Sequence, residues 1–392
     1  MDDVPMSVSN TQLTSTAIVA TTLDRTSSSG APLMPLGDEQ HSLISLLLIC
    51  FAASFMIIAT LIGNALIMLA VLLVRKLKQP ANFLLVSLAF ADFCVGLVVM
   101  PLALVDLIAE HWVLGEALCR LWTSADQTLC TASIINLCMI SVDRYCAVSR
   151  PLRYAAQRTR RRIFCYVMIV WIVALIVSIS PLVMWPAKRI EGTCQVNQNA
   201  VYQIYATTIA FYGPTMIMII LYVKMWLAAK RLTDQDRIAK KSINGSDRET
   251  SRNRKAHRPS TILQKIPLVH NGRAQERGEG KARKTLGAIM SVFICCWVPF
   301  FLLALLKPYG VMPPRWFDHL ALWLGYSNSL LNPLIYCKYN REFRVPFREM
   351  LCCRFRTLQS VMRKESFTSK FGPTRRRTTE SAHIPADNSS TV

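Results

Sequence analysis

The sequence predicts an all-α membrane protein, a bundle of seven transmembrane helices with a short amphipathic helix after the seventh span. Three observations predict it. Apolar residues gather into seven blocks, each near or above the roughly 20 residues that cross a hydrocarbon core. Charge is kept out of those blocks: charged residues make up 18% of the chain, against about 25% in soluble domains, and hydrophobic residues 52%. The remaining charge is basic and falls in alternate loops. Over 392 residues there are 45 Lys and Arg against 24 Asp and Glu, a net charge of +21. This composition excludes a disordered chain, which combines low hydrophobicity with high charge.

The first block runs from Leu43 to Val74, the second from Ala81 to Ile108, and the third from Glu116 to Tyr145. The fourth is Ile163–Met184, the fifth Tyr202–Leu227, the sixth Leu286–Leu306 and the seventh Phe317–Cys337. The first is no signal peptide: it begins beyond residue 40, is too long for an h-region and lacks a cleavage pattern. Residues 1–42, rich in Ser and Thr, read as a disordered extracellular segment. Residues 43–338 form the bundle, interrupted by a mostly disordered cytoplasmic loop at 233–280, which holds few large apolar residues. Residues 339–392 carry the amphipathic helix and a cytoplasmic tail.

Orientation follows from basic residues in the short loops. Arg75, Lys76 and Lys78 separate the first two blocks, and Arg150, Arg153, Arg158 and Arg160–Arg162 separate the third and fourth. The stretch 230–284 and the tail are also basic. The alternate loops hold only Lys188 and Arg189, then Lys307 and Arg315. The N-terminus is therefore outside and the C-terminus inside. Because the positive charge is a topology signal, nucleic acid is not an expected partner.

Two carboxylates lie deep in the blocks, where an ionisable residue is costly and points to function. Asp92 sits in LVSLAFADFCVGLVVMP and Asp126 in LWTSADQTLCTASIINL. Asp126, Cys130 and Ser133 share one helical stripe. At about 1.5 Å per residue Asp126 lies roughly 27 Å from Arg144 at the cytoplasmic end, hence in the outer third. No block offers a basic residue at that depth, so an external ammonium would supply the missing charge. Aromatic residues gather nearby: Phe293, Trp297, Phe300 and Phe301 in the sixth block, Trp323 and Tyr326 in the seventh, Trp122 in the third. A cation over such rings gains about 0.5–2 kcal/mol. The plainer alternative, a pair of carboxylates tied to polar neighbours amid core aromatics, stays open at this stage.

Pro214, Pro299 and Pro333 interrupt the last three blocks and predict kinks. Of the 13 cysteines, Cys119 and Cys194 both face the oxidising side and are paired as a disulfide. Cys352 and Cys353 follow the amphipathic segment and suit palmitoylation. No HExxH, phosphate loop or zinc-spaced Cys/His quartet occurs, so no enzyme, metal enzyme or cofactor is expected.

Joint, ordered motifs then give a resemblance that covers all seven helices. They are Gly63-Asn64, Ser87-Leu88-Ala89-Phe90-Ala91-Asp92, Asp143-Arg144-Tyr145, Trp171, Pro214, Cys296-Trp297-Val298-Pro299 and Asn332-Pro333-Leu334-Ile335-Tyr336. With them the chain resembles the rhodopsin-like (class A) G-protein-coupled receptors. The resemblance implies that Arg144 bonds Asp143 and Glu279 at rest and, once freed, receives a heterotrimeric G protein. It implies a sodium ion among Asp92, Ser133, Asn328, Ser329 and Asn332, a relay through Trp297 and Phe293, and active-state contacts by Tyr222 and Tyr336. Helix six is the bistable element.

Within that family the chain looks like the biogenic-amine branch, and most like a serotonin receptor. Asp126 matches the amine-binding aspartate and Tyr326 its tyrosine partner. Trp323, Trp297, Phe300 and Phe301 match the aromatic cage, with Cys130, Thr131 and Val196 also at the ligand. The fifth helix keeps a single hydroxyl, Thr207, flanked by Ala206 and Ala210, which suits a hydroxyindole better than a catechol. Gln127 departs from the aliphatic residue usual there. A rise in cyclic AMP is the expected output. Octopamine, tyramine and histamine are the alternative ligands, and an organic-cation transporter is the alternative of another class, against which the lack of a repeat counts. A retinal-binding opsin is excluded, because the middle of the seventh block has no lysine. Arrestin and receptor kinases follow as expected partners, with basic runs such as Arg375–Thr379 beside possible phosphorylation sites. The terminus Ser390-Thr391-Val392 ends like a PDZ ligand.

Overall fold

The computed structural model describes residues 36–363, apart from 110, 150–153, 155–156, 185–193, 195, 229, 232–233, 235–237, 239–267, 355 and 357; side chains are described from 43 on, except 268–286 and 341. The expectations placed on the N-terminal segment, the 233–280 loop and the Arg375–Thr379 and Ser390–Val392 tail motifs fall largely or wholly outside the described residues. The chain divides into two compact units, residues 1–48 and 49–392. The described part of the first is helical, residues 36–48.

Among the described residues the principal helices follow one another in the order expected. They are α1 (Leu36–Leu73), α2 (Asn82–Ala109), α3 (Gly115–Ser149) and α4 (Arg160–Met184), then α5 (Ala200–Ala228), α6 (Leu268–Leu306), α7 (Arg315–Tyr339) and α8 (Arg341–Leu351). Six of them are long and apolar enough to cross a membrane. The seventh, α7, falls short on apolarity because Asn328, Ser329 and Asn332 point inward and are buried. It packs chiefly on α6. Apolar residues that face outward, such as Phe51, Phe55, Phe164 and Ile176, are exposed as a lipid-facing surface requires.

Two prolines are accommodated by widened turns. A π-helical segment, Val95–Val99, precedes Pro101, and another, Thr208–Tyr212, precedes Pro214. A proline ring collides with the carbonyl four residues back, and the extra residue of a π-turn relieves that collision. So at Pro214 the anticipated disruption takes the form of a π-bulge. At Pro101 the sequence reading anticipated nothing. Pro299 and Pro333 lie within continuous helices.

Cross-helix polar contacts set the register. Asn64 Nδ2 of α1 donates to the Ser329 carbonyl of α7 at 3.0 Å, and Trp171 Nε1 of α4 donates to Ser87 Oγ of α2 at 3.2 Å. Gly325 lets α7 approach the Trp297 ring of α6 closely; a Cβ there would lie 2.7 Å from the ring. The Cys119–Cys194 disulfide ties the loop before α5 to the outer end of α3, as expected. Asn340 caps α8, its Oδ1 accepting from the Glu342 N–H at 3.0 Å. Lys76, between α1 and α2, pairs with Glu342 at 3.2 Å. The buried face of α8 is Phe343, Phe347 and Met350, and Cys352 and Cys353 beyond it are exposed.

Candidate functional site

A cavity of about 330 Å³ opens at the outer end of the bundle. Asp126 lies among its lining residues, with Trp122, Val196 and Phe300. Helix α3 presents Asp126 one turn below Trp122, whose indole donates to the Val99 carbonyl at 3.1 Å and stacks on Trp112 at 5.0 Å. Cys130 Sγ donates to the carboxylate, 3.3 Å from Oδ1. Tyr326 lies close enough to interact with Asp126, though its buried Oη closes no hydrogen bond of standard geometry. Among the described residues no cation pairs with Asp126. The buried Nε1 atoms of Trp297 and Trp323 also lack acceptors. Buried polar groups are normally satisfied, and these two indoles are exceptions.

Beneath the cavity the aromatic side chains interlock. Phe301 stacks on Phe211 of α5 at 4.4 Å, and Trp297 meets Phe300 edge-on at 5.8 Å. Trp323 and Tyr326 pack edge-on at 5.9 Å. Of the residues assigned to the ligand, Asp126, Phe300 and Val196 line the cavity itself, while Trp297, Phe301, Trp323, Tyr326, Cys130, Thr131 and Thr207 do not. Cys130 and Thr131 are buried, and Thr207 Oγ1 donates to the Gln203 carbonyl at 2.6 Å, which leaves it able to accept. Gln127 turns to α5, where its amide interacts with Tyr202.

The sequence reading missed Phe211 and the cavity mouth. Asp106 of α2 lies near His319 and Arg315 of α7, and Lys307 pairs with Asp318 at 2.9 Å, joining the end of α6 to the start of α7. These residues sit at helix ends, where charge is unremarkable in sequence. Only their convergence on one cavity singles them out.

Deeper in the bundle, Asp92 is fully buried. Its Oδ1 accepts from Ser133 Oγ at 2.6 Å and Ser329 Oγ at 2.9 Å, and its Oδ2 from Asn332 Nδ2 at 2.8 Å. Four of the five residues assigned to sodium are thus in direct contact. Asn332 Oδ1 and both polar atoms of Asn328 are buried without partners. One carboxylate with several neutral oxygens and unspent carbonyl groups fits a hard monovalent cation, so the residues present are compatible with sodium.

At the opposite end of the bundle the expected pair around Asp143 is joined by further partners. Arg144 Nε stands 4.0 Å from Asp143 Oδ2, a loose ion pair. The hydrogen bonds to Asp143 come from Arg158, through Nε at 3.0 Å and a second, shorter bond, and from Tyr154 Oη at 2.9 Å. Arg158 bonds both oxygens of the Asp143 carboxylate, a bidentate contact that Arg144 does not make. Burial, and then the Asp143 charge, pushes the Tyr154 phenol well above its usual range, so it remains a donor. The Glu279 side chain lies outside the described residues. Tyr222 packs against Gly287 of α6, and Tyr336 Oη is buried without a partner.

A bundle of membrane-length helices with a cavity open at one end and a buried polar cluster around Asp92 is the architecture of a multi-pass membrane protein. Residues 63–336 match the family described as 7 transmembrane receptor (rhodopsin family). The chain belongs to that family, the rhodopsin-like G-protein-coupled receptors. It is 39% identical over 355 residues to "5-hydroxytryptamine receptor 1" of Drosophila melanogaster, covering 76% of this chain and 63% of that protein. It is 36% identical over 348 residues to "5-hydroxytryptamine receptor 7" of Xenopus laevis, covering 83% and 80%. It is 34% identical over 373 residues to "Probable G-protein coupled receptor No18" of Amphibalanus amphitrite, covering 86% and 97%.

Proposed function

We propose that this chain is a plasma-membrane receptor for a biogenic amine, serotonin, which it answers by activating a heterotrimeric G protein that raises cyclic AMP. The observation that carries the reading is Asp126: a carboxylate at an outward-opening cavity, met by a thiol and a phenol and by no cation among the described residues. A ligand ammonium completes it. Tyr326, Trp323, Trp297, Phe300 and Phe301 surround the ammonium and the ring, with Cys130, Thr131 and Val196 at its flanks. Thr207, with its lone pairs open, accepts from the indole hydroxyl. Relatives named 5-hydroxytryptamine receptors support the choice of amine.

The transmission follows from packing. A ring bearing on Trp297 changes how α6 sits on Gly325 of α7, and α6 swings about Pro299. Arg144, only loosely held by Asp143, receives the G-protein C-terminus, while Tyr145, Tyr222, Asn332, Pro333 and Tyr336 hold the active arrangement. Sodium among Asp92, Ser133, Asn328, Ser329 and Asn332 would favour the resting state by supplying the charge that Asp92 lacks. Cys352 and Cys353 carry palmitate and fix α8 to the membrane. The tail is read by receptor kinases, by arrestin and, at its end, by a PDZ protein.

The test is cyclic AMP in cells expressing the chain, dosed separately with serotonin, octopamine, tyramine, dopamine and histamine, beside Asp126→Ala. A response to serotonin at the lowest dose, lost in the variant, supports the reading. A stronger response to another amine overturns the ligand. Amine uptake driven by an ion gradient would revive the transporter.

A further inference from the structure

The chain leaves the disulfide at Cys194 and enters α5 at Ala200. Three residues of this short stretch, Cys194, Val196 and Gln198, line the same cavity as Asp126. Val196 also packs against the small cluster of Val177, Tyr202 and Ala206. The disulfide fixes Cys194 to α3. A single anchor is a hinge, however, and leaves a side chain two residues away free to swing off the cavity.

Bonds inside the loop do not supply a second anchor. Gln198 Nε2 donates to the Val196 carbonyl at 2.7 Å, and the Asn199 N–H to Asn197 Oδ1 at 2.9 Å. Both join loop groups to one another and move with the loop. The bond from Gln203 is different, because it reaches from α5 back to the loop: Nε2 donates to the Asn197 carbonyl at 2.6 Å. Gln203 is only 5% exposed. Its own N–H donates to the Asn199 carbonyl at 2.9 Å, and its carbonyl accepts from Thr207 Oγ1 at 2.6 Å. The side chain therefore projects from a fixed base.

Burial makes this bond count. An exposed amide that loses its acceptor gains water in exchange, whereas a buried one stays unsatisfied and pays the full desolvation penalty. Lifting Asn197 away would strand the Gln203 amide, so the loop is held down. A hydrogen bond of this kind shifts an opening equilibrium by roughly five- to tenfold.

We propose that Gln203 is a positioning residue for the amine site: by holding the Asn197 carbonyl it keeps Val196 at the cavity and sets how fast ligand enters and leaves. The inference rests on the amine site at Asp126 proposed above. Gln203 is not among the residues that line the cavity, so it acts through the loop and not on the ligand. That distinction has a kinetic signature. A closure equally present with and without ligand slows entry and exit alike and leaves affinity nearly unchanged. Loss of a direct ligand contact would appear in koff.

The experiment follows association and dissociation of radiolabelled serotonin on membranes carrying the full receptor or its variants. Gln203→Met keeps the length of the side chain and removes the donor. It should raise kon and koff together by about fivefold or more. Kd should stay within about twofold. Gln203→Leu, a second donor-free variant, should match it. Val196→Ala should also raise both rates, and adding Gln203→Met to it should change them by less than about twofold further. Hydrogen exchange of the ligand-free receptor, read by mass spectrometry, tests the latch without any amine. Residues 196–198 should exchange roughly five- to tenfold faster in Gln203→Met, with α5 beyond Thr207 unchanged. Exchange at 196–198 that does not change overturns the latch. Faster exchange with both ligand rates unchanged, or a rise in koff alone, overturns its role at the cavity. Absence of serotonin binding to the unaltered receptor would instead sink the amine reading, and the exchange measurement would still decide the latch.

Discussion

Replacing Asp126 by Asn tests the binding site at its most sensitive point, because the change removes the charge and nearly keeps the shape. The carboxylate's own partners are weak: a thiol at 3.3 Å and a phenol without a well-formed hydrogen bond. The ligand ammonium is then its strongest partner, in a cavity walled by Trp122 and Phe300. Losing one member of such a buried charge pair costs about 2–5 kcal/mol. That corresponds to a loss of roughly 30-fold to several thousand-fold in amine affinity. Competition binding on membranes, with surface expression matched, measures it. Asp126→Ala should lose at least as much, since it also leaves Cys130 and Tyr326 facing a void. A neutral analogue lacking the ammonium should bind receptor and variant alike. A loss below about threefold in Asp126→Asn would refute the argument that charge at this position holds the ligand.

Three further outcomes are expected. Sodium should weaken agonist binding to the unaltered receptor, and Asp92→Asn should abolish that dependence; a sodium effect unchanged in the variant would remove the ion from this pocket. Arg158→Ala should lower thermal stability, by at most the roughly 3–5 kcal/mol of a broken buried pair because Arg158 is 19% exposed. Combined with Asp143→Asn it should cost clearly less than the sum of the two single changes, and strict additivity in thermal unfolding would rule out the direct contact. Gly325→Ala places a Cβ 2.7 Å from the Trp297 ring and should destabilise by about 1–3 kcal/mol, seen as a lower melting temperature; an unchanged melting temperature would mean that α6 and α7 separate there at no cost.

The sequence made the helices legible because a membrane leaves few options. A backbone without water must bond to itself, so every long apolar block becomes a helix. The seventh was the informative case: Asn328, Ser329 and Asn332 lower its apolarity, yet they are the inward polar face that meets Asp92. The Asp92 cluster was legible through motifs, which encode contacts between residues as far apart as 92 and 332. The cavity mouth was not, because Asp106, Lys307, Asp318 and His319 are unexceptional in their own segments. At Asp143 the motif supplied Arg144, which stands 4.0 Å away, and the fold adds Arg158 and Tyr154, whose own segment gives no sign of the contact.

By itself, then, the sequence determined the number of spans, the disulfide and the two intramembrane carboxylates. Each follows from local composition or from a strong energetic penalty on the wrong choice. Tertiary structure alone decided which donors those carboxylates meet and how far the aromatic side chains interlock. Those depend on how helices turn and slide against one another. Helix rotation is set by many small packing contacts, such as Gly325 against Trp297, that no single segment of the chain contains.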